Sequence, residues 1–96
     1  MKILAIEKAS TGIDWENKNE ILKAEARRVY ELYREGAIKE IYFNNKHDVV
    51  LILECESMER ATALLNSLPL VEEGLIVFET MTLTPYTGFD RIINRD

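Results

Sequence analysis

A glutamate inside an apolar helical stripe is the first feature of this sequence that could do chemistry. At about 100° per residue, Leu22, Ala26, Val29, Leu32 and Tyr33 line one face of a helix expected from about Asp14 to Glu35, and Glu25 falls within that face. A carboxylate there loses water, so its pKa rises toward the range of a general base near neutral pH. Such a group can take a proton from a carbon α to a carbonyl and return it elsewhere. The plainer reading is a glutamate at the stripe's edge, paired with Arg28 or Lys18 or reaching solvent.

Glu7 is the second candidate acid. It alternates with Ile3 and Ala5 along the first strand, on the side expected to face the helices, and with Glu25 it would make a pair of raised pKa. Its place at a strand end also suits a solvated charge. Tyr42 and Tyr33 carry hydroxyls that could donate to a developing enolate oxygen, although aromatic residues in such places commonly fill cores. Trp15, at the helix start, would lid a pocket or staple the N-terminus. Glu79 falls on the opposite sheet face and reads as an interface or rim charge. His47, the only histidine, lies in a turn, where solvation is the ordinary state. One His and one Cys do not make a zinc site, and haem and copper are disfavoured for the same reason. Cys55 reads as a small core or edge residue. The four glycines are isolated, so no phosphate loop is present. No cofactor is expected.

The elements that must position these residues follow from patterning. Val49-Val50-Leu51-Ile52-Leu53 is a short apolar run without alternation, so it predicts a strand covered on both faces. Residues 2–8 form an earlier strand. Lys39 to Asn44 forms another, turned back by Asn45-Lys46-His47-Asp48. Gly36 suits a left-handed helix end. Ser57 caps a second helix bearing Met58, Ala61, Leu65 and Leu68, ended by Pro69. A last strand runs from Leu75 to Thr84 until Pro85 breaks it. The order β-α-β-β-α-β predicts an α+β, ferredoxin-like domain over residues 1–96: a four-stranded antiparallel sheet with two helices on one face. Leu4, Ile6, Val77, Met81 and Leu83 fall on the uncovered face, which predicts sheet-to-sheet pairing as a homodimer or larger homo-oligomer.

Bulk composition narrows the partners. A net charge of −5 gives no positive footprint for nucleic acid or anionic membrane. The opening Met1-Lys2-Ile3-Leu4-Ala5-Ile6 stops at Glu7 and Lys8, too early for a signal-peptide core. The single cysteine excludes an internal disulfide, and a cytoplasmic setting is expected.

The ordered set Leu22-Lys23-Ala24-Glu25, Leu32, Arg34-Glu35-Gly36, Ser57, Glu59, Leu68-Pro69-Leu70 and Pro85 resembles the muconolactone isomerase family across nearly the whole chain. The resemblance implies a dimeric α+β barrel and a cofactor-free proton shift within a lactone that carries a carboxylate. In that family helix one reads Lys-Ala-acid-Glu, with proton transfer credited to the second acid. Glu25 holds the first acid position, and Ala26 stands at the second. Phe43 stands where the family tends to carry an Arg that grips the substrate carboxylate, and Val71-Glu72-Glu73 replaces a Phe-Pro-Tyr segment. The expected function is therefore a small-molecule isomerase, with Glu25, Glu7 and Tyr42 in catalysis and Tyr33, Trp15 and Phe43 around the substrate. The alternatives are a ligand-binding or purely oligomeric protein, or a cofactor-independent monooxygenase or dehalogenase, on the same fold.

Overall fold

Alternation along the strands divides the sheet into two chemically distinct faces, and that division organises the molecule. The structure, a computed structural model, describes residues 1–93. Its strands are β1 (Lys2–Ala9), β2 (Ile38–Phe43), β3 (Val49–Glu54) and β4 (Ile76–Leu83), joined antiparallel in the order β2-β3-β1-β4. The helices are α1 (Asn19–Glu35), α2 (Met58–Asn66), the single turn α3 (Pro69–Glu72) and a short α4 (Asp90–Ile93). This is the ferredoxin-like arrangement expected from the order of elements.

On the inner face, Ile3, Ala5, Leu51, Leu53 and Ile38 meet Leu32 of α1 and Ala61, Leu64 and Leu65 of α2 in one core. Ile3, Leu32, Ile38, Leu51, Leu53, Leu68 and Ile76 are the largest fully buried side chains. Each stabilises the fold by about 1.5–3 kcal/mol relative to exposure. On the outer face the register aligns Ile52, Leu4 and Met81 in one row, and Val50, Ile6 and Glu79 in the next. Among the described residues no helix covers this face: Val77 and Met81 are 57% and 51% exposed, and Leu4, Ile6, Val50 and Ile52 are half-buried.

Two helix boundaries differ from the sequence expectation, each for a local reason. Helix α1 starts at Asn19 rather than near Asp14, because Asp14 caps a separate 3₁₀ turn, Trp15–Asn17. Its Oδ1 accepts from the Glu16 N–H at 3.1 Å, and Lys18 then leaves helical geometry (φ −111°, ψ 18°) before the chain re-enters. Pro69 closes α2, as expected, but also opens α3, since its fixed φ suits a first helical position. Within the expected stripe of α1 only Leu32 is buried; Leu22, Ala26 and Tyr33 are exposed.

Gly36 ends α1 at φ 89°, with its N–H turned back to the Leu32 and Tyr33 carbonyls, as the left-handed cap requires. Beyond Leu83 the chain leaves the body. The longest elements span only about 26 Å, yet the molecule extends 63 Å, with Tyr86, Phe89 and Ile92 more than half exposed. Among the described residues no helix is long and apolar enough to cross a membrane.

Candidate active site between α1 and the sheet

One end of the inner face is left unfilled, and the two candidate acids meet there. The core occupies the end of the sheet covered by α2, a helix of only nine residues. Over the other end, Ala26 on α1 and Ala9 on β1 are too small to close the gap. A cavity of about 630 Å³ results, walled chiefly by Leu22, Val29, Ile41, Leu51, Leu70 and Phe78. Glu7, Glu25, Trp15 and Phe43 line it, and so do Lys46, His47 and Asp48 of the β2–β3 hairpin.

Backbone amides orient both carboxylates. Glu25 Oε1 accepts from the Leu70 N–H at 2.9 Å. That amide belongs to the first turn of α3, where N–H groups have no partner within the helix. Glu7 Oε1 accepts from the Val49 N–H at 2.9 Å. The β1–β3 ladder ends at the pair Ile6↔Val50, so the Glu7 side chain supplies the acceptor just past its end. In each carboxylate the second oxygen, Oε2, makes no hydrogen bond among the described residues. Arg28, one of the two partners offered by the plainer reading of Glu25, is instead turned to Ser67 Oγ and Glu31.

Burial pushes the Glu25 carboxyl above its ordinary value of 4.5; the Leu70 amide works against that rise, and the Glu7 charge adds to it. A carboxylate of this kind is a stronger base than one in water. Removing the Glu7 charge removes one of the two raising causes. In Glu7→Gln the acid limb of any Glu25-dependent rate should therefore move to lower pH, as a pH–rate profile of kcat/KM would read directly.

The same shift has a sign for stability. Folding favours the protonated Glu25, so its contribution is fully present below 4.5 and is lost as pH rises through the higher folded value. Glu25→Gln has no such loss and can still accept from Leu70. Its unfolding midpoint relative to wild type should climb with pH across that window. Thermal unfolding from about pH 4 to about pH 8 tests this, and a flat difference would place Glu25 in water-like surroundings.

Tyr42 and Tyr33 lie outside the cavity lining. Tyr42 has the opposite strand parity to Ile41 and Phe43, so it projects from the outer sheet face, where its hydroxyl donates to Glu40 Oε1 at 2.6 Å. That bond to a carboxylate raises its pKa. Tyr33 is 51% exposed on α1. Glu79 pairs with Lys8 at 3.4 Å, also on the outer face. Patterning alone did not bring the hairpin residues Lys46 and His47 to the cavity. The signal available was topological: in β-α-β-β-α-β order, the β2–β3 turn and the end of β1 share one end of the sheet. Among the described residues, no group of three or more His, Cys, Asp or Glu is placed to hold a metal ion.

No protein-family model matches the chain. No curated protein matches it either. Among solved structures it is similar to the 5-chloro-2-hydroxyhydroquinone dehydrochlorinase (TftG) from Burkholderia phenoliruptrix AC1100, in complex with 2,5-dihydroxybenzoquinone. The TM-score is 0.71 over 92% of this chain and 98% of the other, at 16% identity. At that identity the likeness is one of fold: both chains are α+β domains of the ferredoxin-like kind.

Proposed function

We propose that this protein is a cofactor-independent enzyme that moves a proton within a small, conjugated ring compound, with Glu25 as the base. The observation that carries this reading is the Glu25 carboxylate itself. It is desolvated, held through one oxygen by the Leu70 amide, and open through the other in a cavity of mostly apolar wall. A cavity of about 630 Å³ suits a ligand of drug-like size or smaller.

In an isomerisation, Glu25 takes the proton from a carbon α to a carbonyl, and the C–H electron pair enters the conjugated system. The proton then returns at the far end of that system, and Glu25 is again ionised. Glu7, which lines the same cavity, is suited to accept a hydrogen bond from a substrate hydroxyl. The resemblance in sequence to muconolactone isomerases supports this reading. Ala26 and Phe43 favour a lactone other than muconolactone.

The fold likeness to a dehydrochlorinase favours a second reading, elimination. There the same base removes the proton, its electron pair becomes the new double bond, and chloride leaves with the carbon–chlorine pair. No oxidant is required. Proton NMR in D₂O with muconolactone and simpler butenolides, together with chloride release from chlorinated hydroquinones, tests both readings. Deuterium at carbon supports isomerisation, and free chloride supports elimination. Neither above buffer would overturn the enzyme and leave a ligand-binding protein on this fold.

The same proposal includes a homodimer paired through the outer sheet faces. Leu4, Ile6, Val50, Ile52, Met81 and Leu83 form an apolar surface there, which the Lys8–Glu79 ion pair separates from Val77. A patch of that kind is characteristic of an interface.

A further inference from the structure

We infer that His47 is a positioning residue, whose ring makes a flat wall against which a planar ligand lies, held there by a strained backbone. The inference rests on the reading of the cavity as a ligand site and adds to it the class of ligand: a flat, conjugated ring. His47 is the only non-glycine with positive φ among the described residues, at 64°. Glycine adopts that geometry freely, whereas other residues reach it at some cost, histidine and asparagine less than most.

The turn itself is set by Asn44, not by His47. The Asn44 carbonyl accepts from the His47 N–H at 3.0 Å, and Asn44 Oδ1 accepts from the Lys46 and Asp48 N–H groups at 3.0 and 2.9 Å. Glycine or asparagine at position 47 would keep every one of these bonds, so the turn does not call for an imidazole. The ring is engaged elsewhere. It lies on Phe43 with centroids 4.0 Å apart and planes 7° from parallel, and both residues line the cavity beside Glu25. Stacking fixes the planes of both rings and uses one face of each, so that a planar ligand in the cavity has a preset flat face to lie against.

Affinity for 1-naphthol, a planar fluorescent probe, would be compared with the thermal midpoint in three variants. His47→Asn suits the backbone and lacks the ring. It should bind about tenfold more weakly while unfolding within a few degrees of wild type. His47→Phe keeps the flat ring but fits positive φ less well, so it should bind like wild type and unfold earlier. Opposite rankings of affinity and stability are not what a merely structural turn residue would give. Binding of the probe involves no proton transfer at carbon, so failure of proton transfer would leave this result untouched. Unchanged affinity in His47→Asn, loss in His47→Phe as large as in His47→Asn, or no saturable binding by wild type would each overturn the inference.

Discussion

Glu25→Gln should lower turnover by about 10²- to 10⁴-fold, the range contributed by a positioned acid or base. Substrate affinity should change little, because glutamine has the same shape and can still accept from the Leu70 amide that holds the carboxylate at 2.9 Å. What the variant lacks is the second oxygen's charge, the part that takes the proton. The discriminating measurement is deuterium entry at substrate carbon, followed alongside a binding isotherm. Exchange that survives in the variant would clear Glu25 and direct attention to Glu7, whose Oε2 likewise has no hydrogen-bond partner among the described residues. A parallel loss of binding and turnover would instead mean that the charge serves ligand capture. Raised basicity favours loss of turnover with binding retained. Burial lifts the pKa of Glu25, and a base is improved by that lift, whereas a simple electrostatic anchor is weakened by it.

Met81→Glu should convert a dimer into a folded monomer. Met81 sits in the row with Leu4 and Ile52, on the β4 side of the uncovered apolar surface, and it is 51% exposed in the single chain. A glutamate there meets water in the monomer, so folding should be nearly unaffected. In a sheet-to-sheet interface the same charge is buried without a partner, which raises the dissociation constant by about 100-fold or more. Light scattering would read the change as a fall from twice 11.1 kDa to 11.1 kDa. A glutamate at exposed Thr62 on α2 serves as the control and should leave the mass unchanged. A wild-type chain already at 11.1 kDa would remove the dimer from the proposal.

The tail after Leu83 adds to the case for a second copy. Tyr86, Phe89 and Ile92 stand at 72%, 60% and 82% exposure, unusual for residues of this size on a molecule that ends as a monomer.

Local patterning carries much of this protein in plain view. Strand alternation placed Ile3, Ala5 and Glu7 on one face and Leu4 and Ile6 on the other, because a pleat has a period of two wherever the strand lies. Helical spacing put Glu25 among apolar neighbours for the same kind of reason, and glycine at position 36 marked the end of α1. The hairpin, the Ser57 cap and the order of elements needed no tertiary information, so the ferredoxin-like fold could be read from the chain. Only the tertiary structure decided which side chains share the cavity. The Leu70 amide reaches Glu25 across 45 residues, and the Val49 amide reaches Glu7 across 42. His47, on a turn that looks solvated in sequence, folds its ring onto Phe43 at the cavity mouth. Tyr42 goes to the opposite face because a one-residue change of register in β2 turns its side chain away from the helices. Periodicity is a property of neighbours along the chain. A site is a property of residues brought together by packing, and only the folded molecule contains that information.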